Sequence, residues 1–390
     1  MSETFDYAVI GLGALGSATA WQLARRGHHV VGLEQFALGH ENGASHDSSR
    51  IIRHSYHTTE YVELTKAAYL DWATLEADAG EELITITGGL DLYPPAAAIS
   101  PATYLAAMRQ AWVPFQVLDV SGVRDRWPQF VLPPGTQAVY QERTGIVPAA
   151  RGVAACQRMA RHHGADLRAH TPVTGIHDPG TAGRIEIGTD TGTILVDALV
   201  ITADAWTNGL LSHLDWHVPL TVTQEQVTYL NPQVPGDFTP DRFPVWIWMD
   251  DPSYYGFPSY GEPTIKAAED CGGPMVDPQT RTFTPDPDRE ARLANFLHER
   301  LPGSGVINRS KTCLYTLTPD RDFVIGPVPG HPRVHVGLGA AHGFKFTPTF
   351  GRLLADLATN TPTETPIDLD SFRLDRPALT QPGHPTTWLV

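Results

Sequence analysis

The apolar run Tyr7–Ile10 leads into Gly11-Leu-Gly13-Ala-Leu-Gly16, a helical stretch follows, and a second apolar run, His29-Val-Val-Gly-Leu-Glu34, comes next. That order predicts a strand, a tight turn, a helix and a parallel strand. Further along, the spacing Val62, Ala68, Leu70, Trp72, Leu75 predicts a helix over residues 61–79. Strands are expected at 83–87, 89–93 and 115–118, with a helix at 104–111 between the last two, then a helix at 149–162 and an apolar strand at 197–203. Residues 216–309 are rich in proline and aromatics, with β-like runs at 226–230, 245–249 and 254–257 and one helix at 288–300. A strand at 334–338, a turn at 339–346 and a helix at 349–358 then restore the alternating pattern, and residues 361–390 read as an irregular Pro- and Thr-rich tail.

The fold class this predicts is α/β (α+β): a Rossmann-like dinucleotide-binding domain interrupted twice by a β-rich domain. The expected pieces are 1–85, 145–215 and 310–390 for the first and 86–144 and 216–309 for the second. In the opening motif, Gly11 allows the tight turn, Gly13 lets the backbone approach a pyrophosphate, and Gly16 lets helix and strand pack closely. The helix N-terminus offers free N–H groups to the phosphates. Glu34, at the end of the next strand, stands where an acid grips the adenosine ribose, and its charge disfavours a 2′-phosphate. These residues alone fit NAD and FAD equally.

Composition narrows the partners. A chain of 390 residues can bury the cores of two domains. A formal net charge of −15 argues against nucleic acid, and no apolar run approaches the ~20 residues that span a bilayer. The N-terminal residues carry no signal-peptide pattern, so a cytoplasmic protein is expected. Cys156, Cys271 and Cys313 stand in no metal-binding spacing, so no metal is expected.

Arg50 and Arg53 lie three apart, on one turn of a short helix or a bend, where two guanidiniums suit a carboxylate or phosphate, although for an isolated pair in an acidic protein structural salt bridges are the better reading. Cys313 stands in Cys313-Leu-Tyr315-Thr-Leu-Thr-Pro319-Asp320, and Lys345 in His342-Gly-Phe-Lys345-Phe, where a lysine between aromatics can line a pocket. These segments, together with Asn42-Gly43 through Arg50-Ile-Ile-Arg53-His54, Tyr254-Tyr255-Gly-Phe-Pro258 and Ile265-Lys266, resemble the flavin-dependent amine oxidases of the monomeric sarcosine oxidase and N-methyltryptophan oxidase group, relatives of D-amino-acid oxidase. The resemblance runs from the glycine motif to about residue 377.

It implies FAD, linked covalently through Cys313 and contacted by Gly11, Gly13, Gly16, Glu34, Ser49, Arg50, Gly343 and Lys345. Arg53 and Lys345 would hold the substrate carboxylate, with Tyr255 on the pocket wall. Arg50, His46 and Lys266 would border the flavin, with Lys266 as the cation that activates O2. The implied reaction is oxidation of a secondary amine in an amino acid (sarcosine, another N-methyl amino acid or a cyclic imino acid) to an imine and hydrogen peroxide by a monomer. A dehydrogenase using another acceptor, or a noncatalytic flavin- or NAD-binding redox sensor, are the alternatives.

Three departures from the family pattern bear on this reading. Asp270, followed by Cys271, stands where the family has a histidine four residues after the oxygen-activating lysine, which places a carboxylate among the candidate catalytic residues. His46-Asp47-Ser48-Ser49 replaces His-Gly-Asp-Thr, and Asp204 replaces a glycine after the strand at 197–203.

Overall fold

The computed structural model describes residues 2–363 and 368–386. Its central sheet runs in the order Asp166–Arg168, Val30–Leu33, Tyr7–Ile10, Ala198–Ile201 and His331–Leu338, all parallel, and Val324–Val328 closes one edge antiparallel. Helices Ala14–Arg25, Ala149–His162 and Thr347–Ala358 pack together on this sheet. Their contact depends on small residues: a Cβ at Gly351 would stand 2.6 Å from the Ala18 backbone. Strand residues here are apolar on both sides, as expected for a parallel sheet covered on both faces.

The second large sheet has eight strands, in the order Val306–Leu317, Thr221–Asn231, Ile265–Asp270, Ser253–Phe257, Val245–Trp248, Gly89–Tyr93, Gln137–Gln141 and Gln116–Leu118. Its outward face packs Leu90, Leu92, Trp246, Trp248, Tyr254, Ile265 and Ala267 against helix Pro287–Arg300. Side chains alternate along a strand, so the opposite face of those strands receives Asp91, Tyr255, Lys266, Ala268 and Asp270. That alternation supplies the site.

Two sequence expectations change. Arg50–Ile52 is a strand, not a helical turn or bend: its β-branched pair Ile51-Ile52 and its register with Gly145–Val147 place it in a three-stranded sheet with Thr85–Ile86. The long strand Val306–Leu317, which carries Cys313, was not anticipated, because Asn308, Arg309, Ser310, Lys311 and Thr312 break any apolar alternation; it forms by pairing along its length with Thr221–Asn231. The boundary expected at residue 310 therefore falls inside a strand of the eight-stranded sheet. Within the expected tail, Leu369–Phe372 and Pro377–Thr380 form short helical turns that bury Phe372 and Leu379, while 364–367 and 387–390 lie outside the described residues.

Candidate active site

A cavity of about 380 Å³ runs from Glu34, Thr171 and Val173 at one end, past Gly11–Leu15, to His46, Leu314, Tyr315, Gly339, Gly343 and Phe344 at the other. The glycine motif shapes its middle. Gly11 has φ +89°, and a Cβ there would lie 2.7 Å from the Thr202 carbonyl; one at Gly16 would lie 1.9 Å from the Gly11 carbonyl. Ser45 Oγ accepts the Ala14 amide, the first residue of the helix. Glu34 accepts the amides of Leu12 (2.9 Å) and Phe36 (3.0 Å), with His40 3.4 Å away. Burial pushes its carboxyl up, but the bonds from His40, Phe36 and Leu12 outweigh that and hold it below the usual range, so the acid is ionised.

The cavity leads to the inward face of the eight-stranded sheet. Lys266 Nζ is buried and donates to Asp47 Oδ2 (3.0 Å) and to the Ser49 carbonyl (2.7 Å), and lies 4.5 Å from the centre of the Phe257 ring. Burial pushes Lys266 down to about 8, against the attraction of Asp47. Asp47, itself buried, also accepts from Tyr229 OH (2.5 Å) and lies 3.8 Å from Arg50. Although burial opposes it, the charges of Lys266 and Arg50 hold the Asp47 carboxyl far below its ordinary value. Asp47 has φ +83°, a left-handed conformation costly for any residue with a Cβ, so the surrounding bonds must hold it there.

Arg50 and Arg53 do not converge on one anion. Arg50 donates to the carbonyls of Ala44, His46 and Ser49, whereas Arg53 donates to Asp91 Oδ1 at 3.2 Å and lies over Tyr56. The strand Arg50–Ile52 explains the divergence, since positions three apart on an extended chain face opposite ways. Asp91 also accepts from Ser55 Oγ. Lys345, in the turn Gly343–Phe346, donates to the His342 carbonyl (2.9 Å), while Trp72 Nε1 pins its own carbonyl at 2.7 Å. Burial first, then repulsion from Arg53, pushes Lys345 down to about 7, with Asp270 opposing the shift.

Cys313 pairs with Glu225 across the strands, and its thiol is pushed up to about 11 by burial, against the pull of Arg50. Tyr315, two residues on and so on the same face, donates to Asp270 Oδ1 at 3.3 Å. Burial raises the Tyr255 phenol well above its ordinary value, so it stays protonated at neutral pH. Ser49 is buried behind Arg50. Gly343 leaves room beside Phe350, whose ring a Cβ would meet at 3.3 Å.

His46 lines the cavity with both ring nitrogens buried and no hydrogen-bond partner among the described residues; burial and Arg50 push it down to about 4, leaving a neutral imidazole. Asp204, also in the cavity wall, has φ +48°, a buried Oδ2 without a partner among the described residues, and a carboxyl pushed up to about 6 by burial.

Sequence reasoning did not select Asp47, Asp91, Tyr229 or Tyr315 as site residues. Asp91 carried a signal, an acid inside the apolar strand Gly89–Tyr93; Asp47 and Tyr229 are recognisable only once Lys266 is placed between them.

A glycine cradle with close backbone approach and an ionised acid at one end fit a dinucleotide, and the FAD dependent oxidoreductase (DAO) family, which matches residues 6–357, makes that dinucleotide FAD. The chain belongs to that family. It is 35% identical to the monomeric sarcosine oxidase of Streptomyces avermitilis, covering 95% of this chain and 97% of that one. It is 30% identical to the N-methyl-L-tryptophan oxidase of Yersinia pestis (strain Pestoides F), covering 95% and 99%. Among solved structures it is similar to the open form of NikD, an unusual amino acid oxidase essential for nikkomycin biosynthesis, with a TM-score of 0.84, 28% identity, and 95% and 98% of the two chains covered.

Proposed function

We propose that this protein oxidises the secondary amine of an N-alkyl or cyclic imino acid to an imine, with O2 becoming hydrogen peroxide. The observation that carries the reading is that alternation along paired strands puts Lys266, Tyr255, Asp270, Cys313 and Tyr315 on one face, which the dinucleotide cavity reaches at Tyr315, with Lys345 in the turn Gly343–Phe346 near enough for its charge to feel Asp270. FAD, when bound, takes the two electrons from the substrate carbon and delivers them to O2.

Lys345 is the cation for the substrate carboxylate. Arg53 is already paired with Asp91 and helps chiefly by its field. Asp270 lies close enough to oppose the shift on Lys345, and it favours the substrate's ammonium form on arrival. The amine must lose that proton before oxidation, so the rate of anaerobic reduction at saturating substrate rises toward alkaline pH, while carboxylate binding and the reaction with O2 weaken as Lys345 and Lys266 lose their own protons. Lys266, held positive by Asp47, supplies fixed charge for O2 as it gains an electron. Gly11, Gly13, Gly16 and Glu34 hold the adenosine diphosphate end; Ser49, Arg50, His46 and Gly343 border the flavin, which is joined to the Cys313 sulfur. The expected pieces 1–85, 145–215 and most of 310–390 serve cofactor binding and the remainder substrate binding, in a cytoplasmic monomer.

Two measurements test this. Peroxide release is expected from N-methyl or cyclic imino acids and at least about tenfold less from the matching primary amino acids; reduction by these substrates without peroxide would assign a dehydrogenase, and no reduction by any of them would overturn the reading. Yellow colour is expected to stay with acid-denatured wild-type chain and to be released as free FAD from Cys313→Ala.

A further inference from the structure

Beside the dinucleotide cavity, and sharing none of its lining residues, lies a second cavity of about 410 Å³ formed by the start of Thr221–Asn231, Thr312, the segment 274–286 and Arg289 of helix Pro287–Arg300. Two guanidiniums line it. Arg281 is 8% exposed and Arg289 4%. Arg281 gives Nη2 to the carbonyls of Glu41 (3.1 Å) and Asn42 (2.8 Å) and stacks 3.8 Å over Phe283, but its Nε and Nη1 are buried and have no acceptor among the described residues. Arg289 gives Nη2 to Glu225 (2.8 Å) and to the Cys271 carbonyl (3.3 Å), and its Nη1 is likewise buried without an acceptor.

Buried N–H groups on a cation are among the costliest to leave unpaired, so the chain has preserved donors for which it supplies no acceptor. The lining carries two guanidiniums and three carboxylates, and each carboxylate already has a partner of its own. Glu225, the buried carboxylate here, is already taken by Arg289, Thr223 Oγ1 (2.7 Å) and the Gly273 amide (3.1 Å). Asp277 is exposed and accepts the Gln279 amide; Asp286 is half-buried and caps the helix through the Asp288 amide. Water would satisfy N–H groups but not the second guanidinium's charge.

We propose that this cavity binds a phosphate group between Arg281 and Arg289. Guanidinium forks match paired oxygens, which favours an oxyanion over a halide. Thr280, Thr282 and Thr312 line the space, and the Gln224 side-chain oxygen, without a partner among the described residues, is an acceptor that a hydrogen-phosphate P–OH can fill and a carboxylate cannot. The proposal is independent of the amine-oxidase reading, since it uses none of the residues placed there.

The test is calorimetric titration of inorganic phosphate, and separately of glycerol 3-phosphate, into flavin-loaded protein in a buffer free of other oxyanions, with potassium chloride matched for ionic strength as control. Loaded flavin blocks the pyrophosphate cradle. One saturable site is expected, absent with chloride, weakened about tenfold or more in Arg281→Gln and only partly restored in Arg281→Lys, which keeps the charge but not the fork; a preference for glycerol 3-phosphate would identify a phosphomonoester, and equal binding the free anion. No saturable binding by wild-type protein, or equal binding by Arg281→Gln, overturns the proposal, and the wild-type result decides it even if the variant fails to fold.

Discussion

Asp47→Asn isolates the charge on Lys266 with little change in shape. The bonded atoms lie 3.0 Å apart; taking the centres of the two charges as about 4 Å apart, with an effective dielectric of about 20, the Asp47 carboxylate attracts the ammonium by roughly 4 kcal/mol, or about 3 pKa units at 1.36 kcal/mol each. With Asp47 present Lys266 lies at about 8, so roughly nine-tenths of it is charged at pH 7. Without that carboxylate it falls to about 5, and roughly one part in a hundred is charged. The amide still accepts a hydrogen bond from Lys266 or Tyr229, so the geometry survives.

The assay is stopped-flow: enzyme reduced anaerobically by substrate is mixed with O2, and the second-order rate of reoxidation is followed from pH 5 to 9.5. Wild-type rates should fall as pH rises through about 8. In the variant the fall should centre about 3 units lower, leaving the rate at pH 7 down by something on the order of 100-fold while anaerobic reduction changes little. A variant rate within about twofold of wild type at pH 7, or an unmoved midpoint, would show that Asp47 does not set the charge and that Lys266 does not act through it.

Asp204→Gly should stabilise the protein, because it removes a buried carboxylate, one oxygen of which has no partner among the described residues, from a left-handed position that glycine adopts freely. Its folded pKa is raised from 3.8 to about 6, so stability is greatest below the unfolded value and is lost as pH rises through 6; the variant's advantage in thermal melts should therefore grow from pH 4 to 7 toward about 2–3 kcal/mol, and a constant difference would refute the assignment. Binding of acetate as a carboxylate without an amine should weaken about tenfold per pH unit above 7, as Lys345 loses its proton, and flat affinity from pH 6 to 9 would remove Lys345 from that role. Gly16→Ala should purify with little flavin, read as the ratio of absorbance at the flavin band to that of protein, since its methyl would collide with the Gly11 carbonyl; full flavin content would mean the loop yields more than its packing suggests.

Local patterns in the chain determined the dinucleotide half of this protein. Gly11, Gly13 and Gly16 after an apolar strand, and Glu34 ending the next, have their meaning within one βαβ unit, where turn geometry and helix polarity act over neighbouring residues. The helices Thr59–Ala79, Ala149–His162 and Pro287–Arg300 were legible for the same reason, their apolar period being a property of each segment alone.

The catalytic half was legible only through whole motifs matched to a family, and its electrostatics not at all. Lys266 becomes a buried cation only because Asp47 lies within hydrogen-bond reach from 219 residues away, and Arg53 is spoken for only because Asp91 faces it across the core. Strand Val306–Leu317 looks too polar to be one until Thr221–Asn231 supplies its hydrogen bonds. Charge states and pairings of this kind depend on burial and on distances between remote segments, and those quantities exist only once the chain has folded.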